Sequence, residues 1–156
     1  MLINHKELGV RLTGFYHSIV YWDPKKEDIS CLPCLPLSSK SRGEDPDFVA
    51  PEVFGNGDRE EFDPIQADIW SYAAVVYFMA TNGGYPYNWR EDNPKVEEEI
   101  CNNVAQLSLS EEGKQFLSAL LNTNAMARLN FEKINTQVWF NRLKRENVIC
   151  SQKKAN

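Results

Sequence analysis

The feature that most constrains this fold is an apolar segment near the middle of the 156-residue chain, Ala67 to Thr81. Its side chains are apolar on nearly every side at helical spacing, and such a helix must be enclosed by protein. Asp63-Pro64 is a helix-start signal, because Asp caps amides and Pro suits the first helical position. Asn82-Gly83-Gly84 is a stop signal. The Val75-Val76 pair also fits a buried strand, but fifteen residues before the stop favour a buried central helix, about 64–81.

Three further helices are predicted after the central one, each from a start signal followed by apolar residues at helical spacing. Asn93-Pro94 starts the first, Ser110-Glu111-Glu112 starts the second with acidic groups at the positive helix end, and Asn130 starts the third. The predicted buried stripes are Val96, Ile100 and Val104; Phe116, Leu117, Leu120 and Leu121; and Phe131, Ile134 and Val138. Beyond Phe140 the chain turns basic and polar, which is typical of a frayed tail.

The N-terminal third reads differently from the helical remainder. Leu8 to Phe15 alternates roughly between apolar and polar residues and follows a turn, which predicts a short β hairpin. From Trp22 to Asp47 the chain is rich in Pro, Ser and charge without a sustained period, which predicts one long loop. Pro51 to Phe54 suits one turn of helix.

Composition and charge exclude several classes of protein. Hydrophobic content of 42% and charged content of 25% are near the globular average, so the chain as a whole is not disordered. A net charge of −5 argues against a nucleic-acid partner. The N-terminus has no apolar run of signal-peptide length, and the longest such run, Ala73 to Ala80, is too short to cross a bilayer. We therefore expect a soluble cytoplasmic or nuclear protein without a membrane partner.

Two of the four cysteines form a CxxC motif, Cys31-Leu32-Pro33-Cys34, the spacing that zinc sites and redox motifs use. A structural zinc ion needs four ligands, and neither His5 nor His17 belongs to a second ligand pair. Reduced thiols in a loop of an intracellular protein are the favoured interpretation, with a metal or redox role as the alternative. No metal ion is expected.

Four short motifs occur in an order that resembles the C-terminal lobe (C-lobe) of eukaryotic protein kinases. They are Ala50-Pro51-Glu52, Asp68-Ile69-Trp70-Ser71, Gly84-Tyr85-Pro86-Tyr87, and Arg128-Leu129 ahead of Trp139-Phe140. Each motif alone is a weak signal, but four in this order at such spacings are specific. The resemblance covers about Leu2 to Phe140, nearly the whole chain.

The resemblance implies a mainly α fold, a helical bundle around the buried central helix with a short β hairpin near the N-terminus. It also implies a long activation-type loop over residues 16–49, inside a C-lobe-like domain of residues 1–141. Residues 142–156 are then a polar tail.

Roles for individual residues come from the same resemblance. In the family, the Ala-Pro-Glu glutamate pairs with an arginine before the last helix, which implies a buried Glu52–Arg128 pair here. The alternative is that each is a solvated surface charge. Asp68, in the motif with Trp70, is implied to cap backbone amides of the catalytic loop; the alternative is an ordinary carboxylate near a helix N-terminus.

The parts that handle phosphate are altered or absent in these residues. The 156 residues contain no Gly-rich loop and no H-R-D motif, and Gly14-Phe15-Tyr16 stands where the family has D-F-G. Gly14 has no side-chain oxygen for a metal ion, Tyr16 replaces a hinge-like glycine, and Phe15 is expected to pack in the core. Asp45 takes the place of a threonine that orients the catalytic base. The resemblance therefore implies no catalysis by this chain, and ATP and Mg²⁺ as cofactors only if a parent protein is an active kinase.

The favoured function is that of a pseudokinase C-lobe acting in protein–protein interaction, with a protein or an N-lobe absent from this chain as partner. One alternative is part of a Ser/Thr kinase whose catalytic elements lie elsewhere, and another is a chain with no separate function. Three aromatic residues near an acidic helix form a candidate docking surface, since aromatics anchor interfaces. They are Tyr85, Tyr87 and Trp89. Capping of the loop over the core is the favoured alternative for these rings.

A finer resemblance concerns the kinase branch. Arg11-Leu12-Thr13, Leu109-Ser110-Glu111-Glu112 and Trp139-Phe140 are similar to AGC-type and S6-kinase-like sequences. In AGC kinases the activation-loop phosphosite maps onto Ser41, whose phosphate could contact Arg42. A Ser-rich solvated loop is the favoured alternative.

Overall fold

The computed structural model describes residues 2–4, 9–11, 15, 18–36, 48–55, 61–88 and 95–142. The chain divides into two compact units, residues 1–30 and residues 31–156. None of the helices in these described ranges has the length and hydropathy needed to span a bilayer.

The first unit contains two small antiparallel strand pairs. Strands β1 (Leu2–Asn4) and β2 (Gly9–Arg11) form the hairpin that the sequence predicts near the N-terminus. Strands β3 (Trp22–Asp23) and β4 (Asp28–Ile29) form a second hairpin. Its turn is supported by the Asp23 carboxylate, which accepts a hydrogen bond from the Lys25 amide at 2.9 Å.

The region predicted as one long loop, Trp22 to Asp47, instead carries short strands in its described part. Besides β3 and β4, strand β5 (Leu32–Pro33) pairs antiparallel with β8 (Glu61–Phe62), and β6 (Leu35–Pro36) pairs parallel with β7 (Phe54–Gly55). Two-residue strands are too short to produce an alternating pattern, and two of them pair with segments about twenty or more residues away. The sequence pattern therefore gave no sign of them.

The central helix α1 (Pro64–Thr81) has the bounds that its start and stop signals predict. Asp63 is the N-cap, and its carboxylate accepts hydrogen bonds from the amides of Ile65 at 2.8 Å and Gln66 at 3.3 Å. Asn82 ends the helix in the left-handed conformation, with φ of 57°. Local capping chemistry thus fixes both ends.

The prediction that protein encloses α1 on every side holds for only part of its surface. Its buried residues are Pro64, Ala67, Ile69, Trp70, Ala73, Ala74 and Tyr77. Asp68, Tyr72 and Met79 lie four and seven residues apart on the opposite side, and Tyr72 and Met79 are 44% and 55% exposed. We call these three residues the α1 stripe. An apolar surface is therefore left exposed on a helix that has no polar face of its own.

Two further helices complete the helical core, and the second of them packs on both α1 and the first. Helix α2 (Val96–Ala105) buries Ile100 and Val104, and helix α3 (Glu111–Leu120) buries all four residues of its predicted stripe, counting Leu121 at its end. Ser110 caps α3, because its hydroxyl accepts a hydrogen bond from the Gly113 amide at 3.2 Å. The predicted start signal of α2 at residues 93–94 lies outside the described residues.

The fourth predicted helix is interrupted. Helix α4 (Phe131–Ile134) is a single turn capped by Asn130, and a separate helical segment covers residues 138–142. Only Ile134 of the predicted stripe is buried, whereas Phe131 and Val138 are 66% and 73% exposed. The prediction of a continuous stripe is wrong because the helix ends at Ile134, so that Val138 no longer shares its face.

Trp139 and Phe140 pack on Phe116 of α3, with ring centroids 5.4 and 6.3 Å away. The indole ring also covers Gly113, where a Cβ atom would lie 2.9 Å from the Trp139 Nε1 atom.

Gly113→Ala is therefore expected to lower the free energy of unfolding by about 1 kcal/mol, because overpacking outweighs the better helix propensity of Ala. Urea unfolding tests this, with Ser118→Ala of the same helix as the control expected to change little. A more stable Gly113→Ala variant would contradict the close contact.

Candidate functional site

The structure brings Glu52 and Arg128 together as a bidentate ion pair in the second unit. Arg128 Nη1 lies 2.6 Å from Glu52 Oε1, and Nη2 lies 2.9 Å from Oε2. The Arg128 side chain is 0% exposed and that of Glu52 is 19% exposed. Two parallel charge-assisted hydrogen bonds fix the relative orientation of the planar groups, which a single contact does not. This geometry excludes the alternative that both are solvated surface charges.

Arg128 also binds two backbone carbonyls. Its Nε donates to the Asn122 carbonyl at 3.0 Å, and Nη1 donates to the Gln66 carbonyl in the first turns of α1. The guanidinium carbon lies 5.1 Å from the centroid of the Trp70 ring, within the range of a cation–π contact. One buried cation therefore joins the segment of Glu52, helix α1 and the connection after α3.

Arg128 is placed by a tight turn. The Asn124 carbonyl accepts hydrogen bonds from the amides of Ala127 at 3.0 Å and Arg128 at 3.1 Å. Immediately afterwards, the Leu129 amide donates to the Ala119 carbonyl in α3 at 3.0 Å. The turn is thus held to α3 beside the point where the arginine enters the core.

Glu52 lies in a single 3₁₀ turn, Pro51–Val53, which follows the wholly buried Ala50. The Val53 amide donates to the Ala50 carbonyl at 3.1 Å. The Cys34 thiol donates to the Glu52 carbonyl at 3.2 Å, and strand β7 continues from the turn to pair with β6. The backbone of the glutamate is therefore held separately from its side chain.

Aromatic rings from α1 pack with rings that flank it in sequence. Trp70 is 0% exposed and meets Tyr87 edge-to-face at a centroid distance of 6.0 Å, while Phe48, Phe78 and Tyr85 lie 5.5 Å from one another. Tyr87 is only 7% exposed. The prediction that Tyr87 is a docking residue is therefore wrong, because its ring is occupied by the core, and the half-buried Tyr85 also packs inward.

Side chains of α2 hold the loop that carries these tyrosines. Asn103 donates from Nδ2 to the Pro86 carbonyl at 3.0 Å, and the Asn88 amide donates to Glu99 Oε1 at 3.1 Å. Burial, and secondarily the nearby Glu99 carboxylate, raise the pKa of the Tyr77 hydroxyl. These contacts match the loop-capping role that the sequence favours for the aromatic segment.

Asp68 lies one turn after the helix start, where Asp63 has already capped the first amides. It is therefore not an N-terminal capping carboxylate, and it accepts no hydrogen bond from the described residues. Asp68 is exposed, but the protein around it removes part of the water from its carboxyl group. This partial desolvation raises the pKa of the carboxyl above its ordinary value of 3.8. The charged form of Asp68 is accordingly disfavoured where it stands.

Asp68→Asn is expected to increase stability at pH 7 by less than about 1 kcal/mol, because solvent screens this partly exposed group. The folded-state pKa lies above the unfolded one, so the folded chain binds a proton more readily and stability falls as the pH rises from 3.8 through the raised value. Urea unfolding at several pH values should show that the unfolding free energy falls less with rising pH in the variant than in the unsubstituted chain. A variant that is less stable at pH 7 would show that the carboxylate has a favourable partner.

Several predicted site residues lie outside the described residues. They are Gly14, Tyr16, Ser41, Asp45 and Trp89. Phe15 is described and is 64% exposed, so its prediction as a core residue is wrong; residues 18–20 are exposed too, so this segment lies at the surface. In the part of the chain that is described, no group of three or more His, Cys, Asp or Glu residues could hold a metal ion.

Sequence reasoning missed three contacts of the Glu52–Arg128 site. They are the Gln66 carbonyl, the Asn122 carbonyl and the Cys34 thiol. Backbone carbonyls have no residue-type signal, so the first two could not be found from sequence. The CxxC motif marks Cys34 in the sequence but does not place its thiol beside the Glu52 carbonyl.

Fold and site together define a mainly helical unit in which a buried Glu–Arg pair fastens a loop to the central helix. The model of the protein kinase domain matches residues 1–140. The chain therefore belongs to the protein kinase domain family.

Individual relatives match a smaller part of the chain. The serine/threonine-protein kinase SRK2J of Arabidopsis thaliana is 30% identical over 113 residues, 68% of this chain and 32% of that protein. SRK2H of Arabidopsis thaliana and SAPK4 of Oryza sativa subsp. japonica, also serine/threonine-protein kinases, are 30% and 29% identical over 102 residues, 61% of this chain and 27% of each relative. The chain thus spans between a quarter and a third of the length of these relatives.

Proposed function

We propose that this chain is a non-catalytic, C-lobe-like part of a protein kinase domain that acts through contact with another protein surface. The observation that carries the proposal is the exposed α1 stripe. The core of the same helix is held by the Glu52–Arg128 pair, so the stripe is presented on a fixed element. We place such a protein in the cytoplasm or nucleus.

The chemistry of the α1 stripe favours an apolar protein partner. Tyr72 and Met79 are 44% and 55% exposed, and both residue types are common in interfaces because they bury large or adaptable surfaces. Asp68 is the charged member, and burial already disfavours its charge, so a partner that covers it does so at reduced electrostatic penalty. The N-lobe of a kinase domain and a separate protein both fit this description.

The sequence supports the absence of catalysis. Phosphoryl transfer depends on metal-borne positive charge and on the positioning of nucleophile and phosphate. By the family resemblance, Gly14 stands in the place of the metal-binding carboxylate, and Asp45 stands in the place of a threonine and would add negative charge that opposes an anionic transition state. The purified chain is incubated with Mg-ATP and a general Ser/Thr kinase substrate. Mass spectrometry should then detect no phosphate on the chain or on the substrate. Phosphate incorporation that depends on Mg-ATP would overturn this part of the proposal.

The interaction is tested with the double substitution Tyr72→Ser and Met79→Ser. Removal of exposed apolar area should decrease binding of a hydrophobic dye and any self-association in sedimentation, with little change in unfolding free energy. The single variant Met126→Ser is the matched control, since Met126 is 95% exposed and lies outside the stripe. Equal effects of the control and the stripe variant on dye binding would remove the stripe from the proposal.

A second candidate function is favoured by the names of the relatives, which are serine/threonine-protein kinases. The chain would then be part of a protein that performs ATP-dependent phosphoryl transfer with catalytic elements lying elsewhere. The transcript sequence ahead of the Met1 codon separates the two candidates. An in-frame H-R-D-x-x-x-x-N motif there supports the kinase, whereas its absence together with a stable monodisperse chain supports the interaction module.

Membership of the AGC branch and phosphorylation at Ser41 also remain proposals. A phosphate on Ser41 would add negative charge beside Arg42 and Lys40. Mass spectrometry of cell-derived protein tests this at the peptide of residues 38–42. An unmodified peptide would count against a switch at this position.

A further inference from the structure

We propose that Cys31 and Cys34 form a dithiol–disulfide switch that loosens the segment holding Glu52. Both cysteines are reduced thiols in this structure. Cys31 is exposed, and the half-buried Cys34 donates its S–H to the Glu52 carbonyl at 3.2 Å. One sulfur is thus open to solvent oxidants while the other supports the residue that pairs with Arg128.

The strand between the two cysteines keeps them apart in the reduced state. Leu32 and Pro33 form β5, which pairs with Phe62 and Glu61 of β8. An extended strand advances about 3.3 Å per residue, so three steps separate the two Cα atoms by about 10 Å. A disulfide bond needs a Cα–Cα separation of roughly 4.4–6.8 Å. The β5–β8 pair and a Cys31–Cys34 disulfide are therefore mutually exclusive.

Oxidation must consequently bend residues 31–34 into a turn. This bending breaks the β5–β8 pair and withdraws the Cys34 sulfur from the Glu52 carbonyl. It also acts on β6, which begins directly after Cys34 and pairs with β7, the strand that leaves the turn of Glu52. Two strand pairs and one thiol–carbonyl hydrogen bond near the glutamate segment are weakened at once, while the Arg128 side chain remains in the core.

The chemistry requires a low-molecular-weight disulfide, RSSR, as oxidant. The Cys31 thiolate attacks one sulfur, the S–S bond of RSSR breaks, and the departing thiolate takes up the proton that Cys31 lost. The Cys34 thiolate then attacks the Cys31 sulfur of the mixed disulfide and expels the second RS⁻, which is protonated in turn. Two protein thiols are oxidised to one disulfide and RSSR is reduced to two RSH, and a dithiol reductant reverses the sequence.

The test uses the full chain in a Cys101→Ser/Cys150→Ser background, incubated with oxidised or reduced glutathione. Oxidation should decrease the intact mass of the protein by that of two hydrogen atoms. Peptide mapping should place the new disulfide between Cys31 and Cys34. Amide hydrogen exchange should then accelerate at least about tenfold in residues 31–36, 53–55 and 61–62, as strand pairs open, with α3 unchanged.

Two further variants and the unsubstituted chain complete the experiment. Cys31→Ser and Cys34→Ser should each lack the accelerated exchange in oxidised glutathione, because neither can close the disulfide and a mixed disulfide with glutathione does not bend residues 31–34. The unsubstituted chain should give the same mapped disulfide, which covers the case in which the background substitutions disturb folding. Absence of the 31–34 disulfide in excess oxidised glutathione, or its formation with unchanged exchange, would overturn the switch.

Discussion

Arg128→Ala is expected to lower the free energy of unfolding by about 3–5 kcal/mol, measured by urea denaturation at pH 7. The substitution leaves the Glu52 carboxylate, only 19% exposed, without its counter-charge. It also removes the donors to the Gln66 and Asn122 carbonyls, and an unpaired buried polar group costs about 1–3 kcal/mol. The large expected effect follows from the groups left behind and not from the ion pair alone.

Two control variants define what the loss means. Arg128→Lys keeps the charge but lacks the planar fork, so it should recover only part of the stability. Lys114→Ala removes a 3.2 Å pair with Glu111, which is 80% exposed, and should change stability by less than about 1 kcal/mol. If Arg128→Ala is no worse than Lys114→Ala, the buried pair does not hold the loop to the helical body.

Features of the fold that depend on neighbours in sequence could be predicted. The bounds of α1 followed from Asp63-Pro64 and Asn82, because caps act over two or three residues. The buried stripe of α3 could be predicted because its apolar residues recur at helical spacing. The same rule wrongly predicted one continuous helix from Asn130 onward. The spacing of apolar residues does not reveal where a helix ends when no Gly or Pro marks that end.

Features that depend on distant parts of the chain could not be read from pattern. Strands β5 and β8 are joined across about thirty residues and have two residues each, so neither has a local signature. The Glu52–Arg128 contact spans 76 residues and was expected only from family resemblance. Its backbone partners, and the burial of Tyr87, depend on how loops fold over the core, which composition does not specify.

Trp70→Ala is expected to have a comparably large effect, lowering the free energy of unfolding by about 3–5 kcal/mol in urea denaturation. Trp70 is wholly buried, and its ring lies against the Arg128 guanidinium and meets the Tyr87 ring edge-to-face. Truncation creates a cavity between the ion pair and the loop that α2 holds. Phe131→Ala is the matched aromatic control, because Phe131 is 66% exposed and should tolerate truncation with a change within about 0.5 kcal/mol.

Trp70→Phe separates ring packing from the rest of the indole. The Trp70 Nε1 atom has no hydrogen-bond partner among the described residues, so loss of its N–H carries no hydrogen-bond penalty and the variant should lose only about 1–2 kcal/mol. Combined with Arg128→Lys in a double-mutant cycle, it should show a coupling energy of at least about 0.5 kcal/mol, because the two groups touch. Strict additivity would mean that the arginine and the indole stabilise the fold independently, so that the guanidinium joins the Glu52 segment to the central helix only through its bonds to Glu52 and to the Gln66 carbonyl.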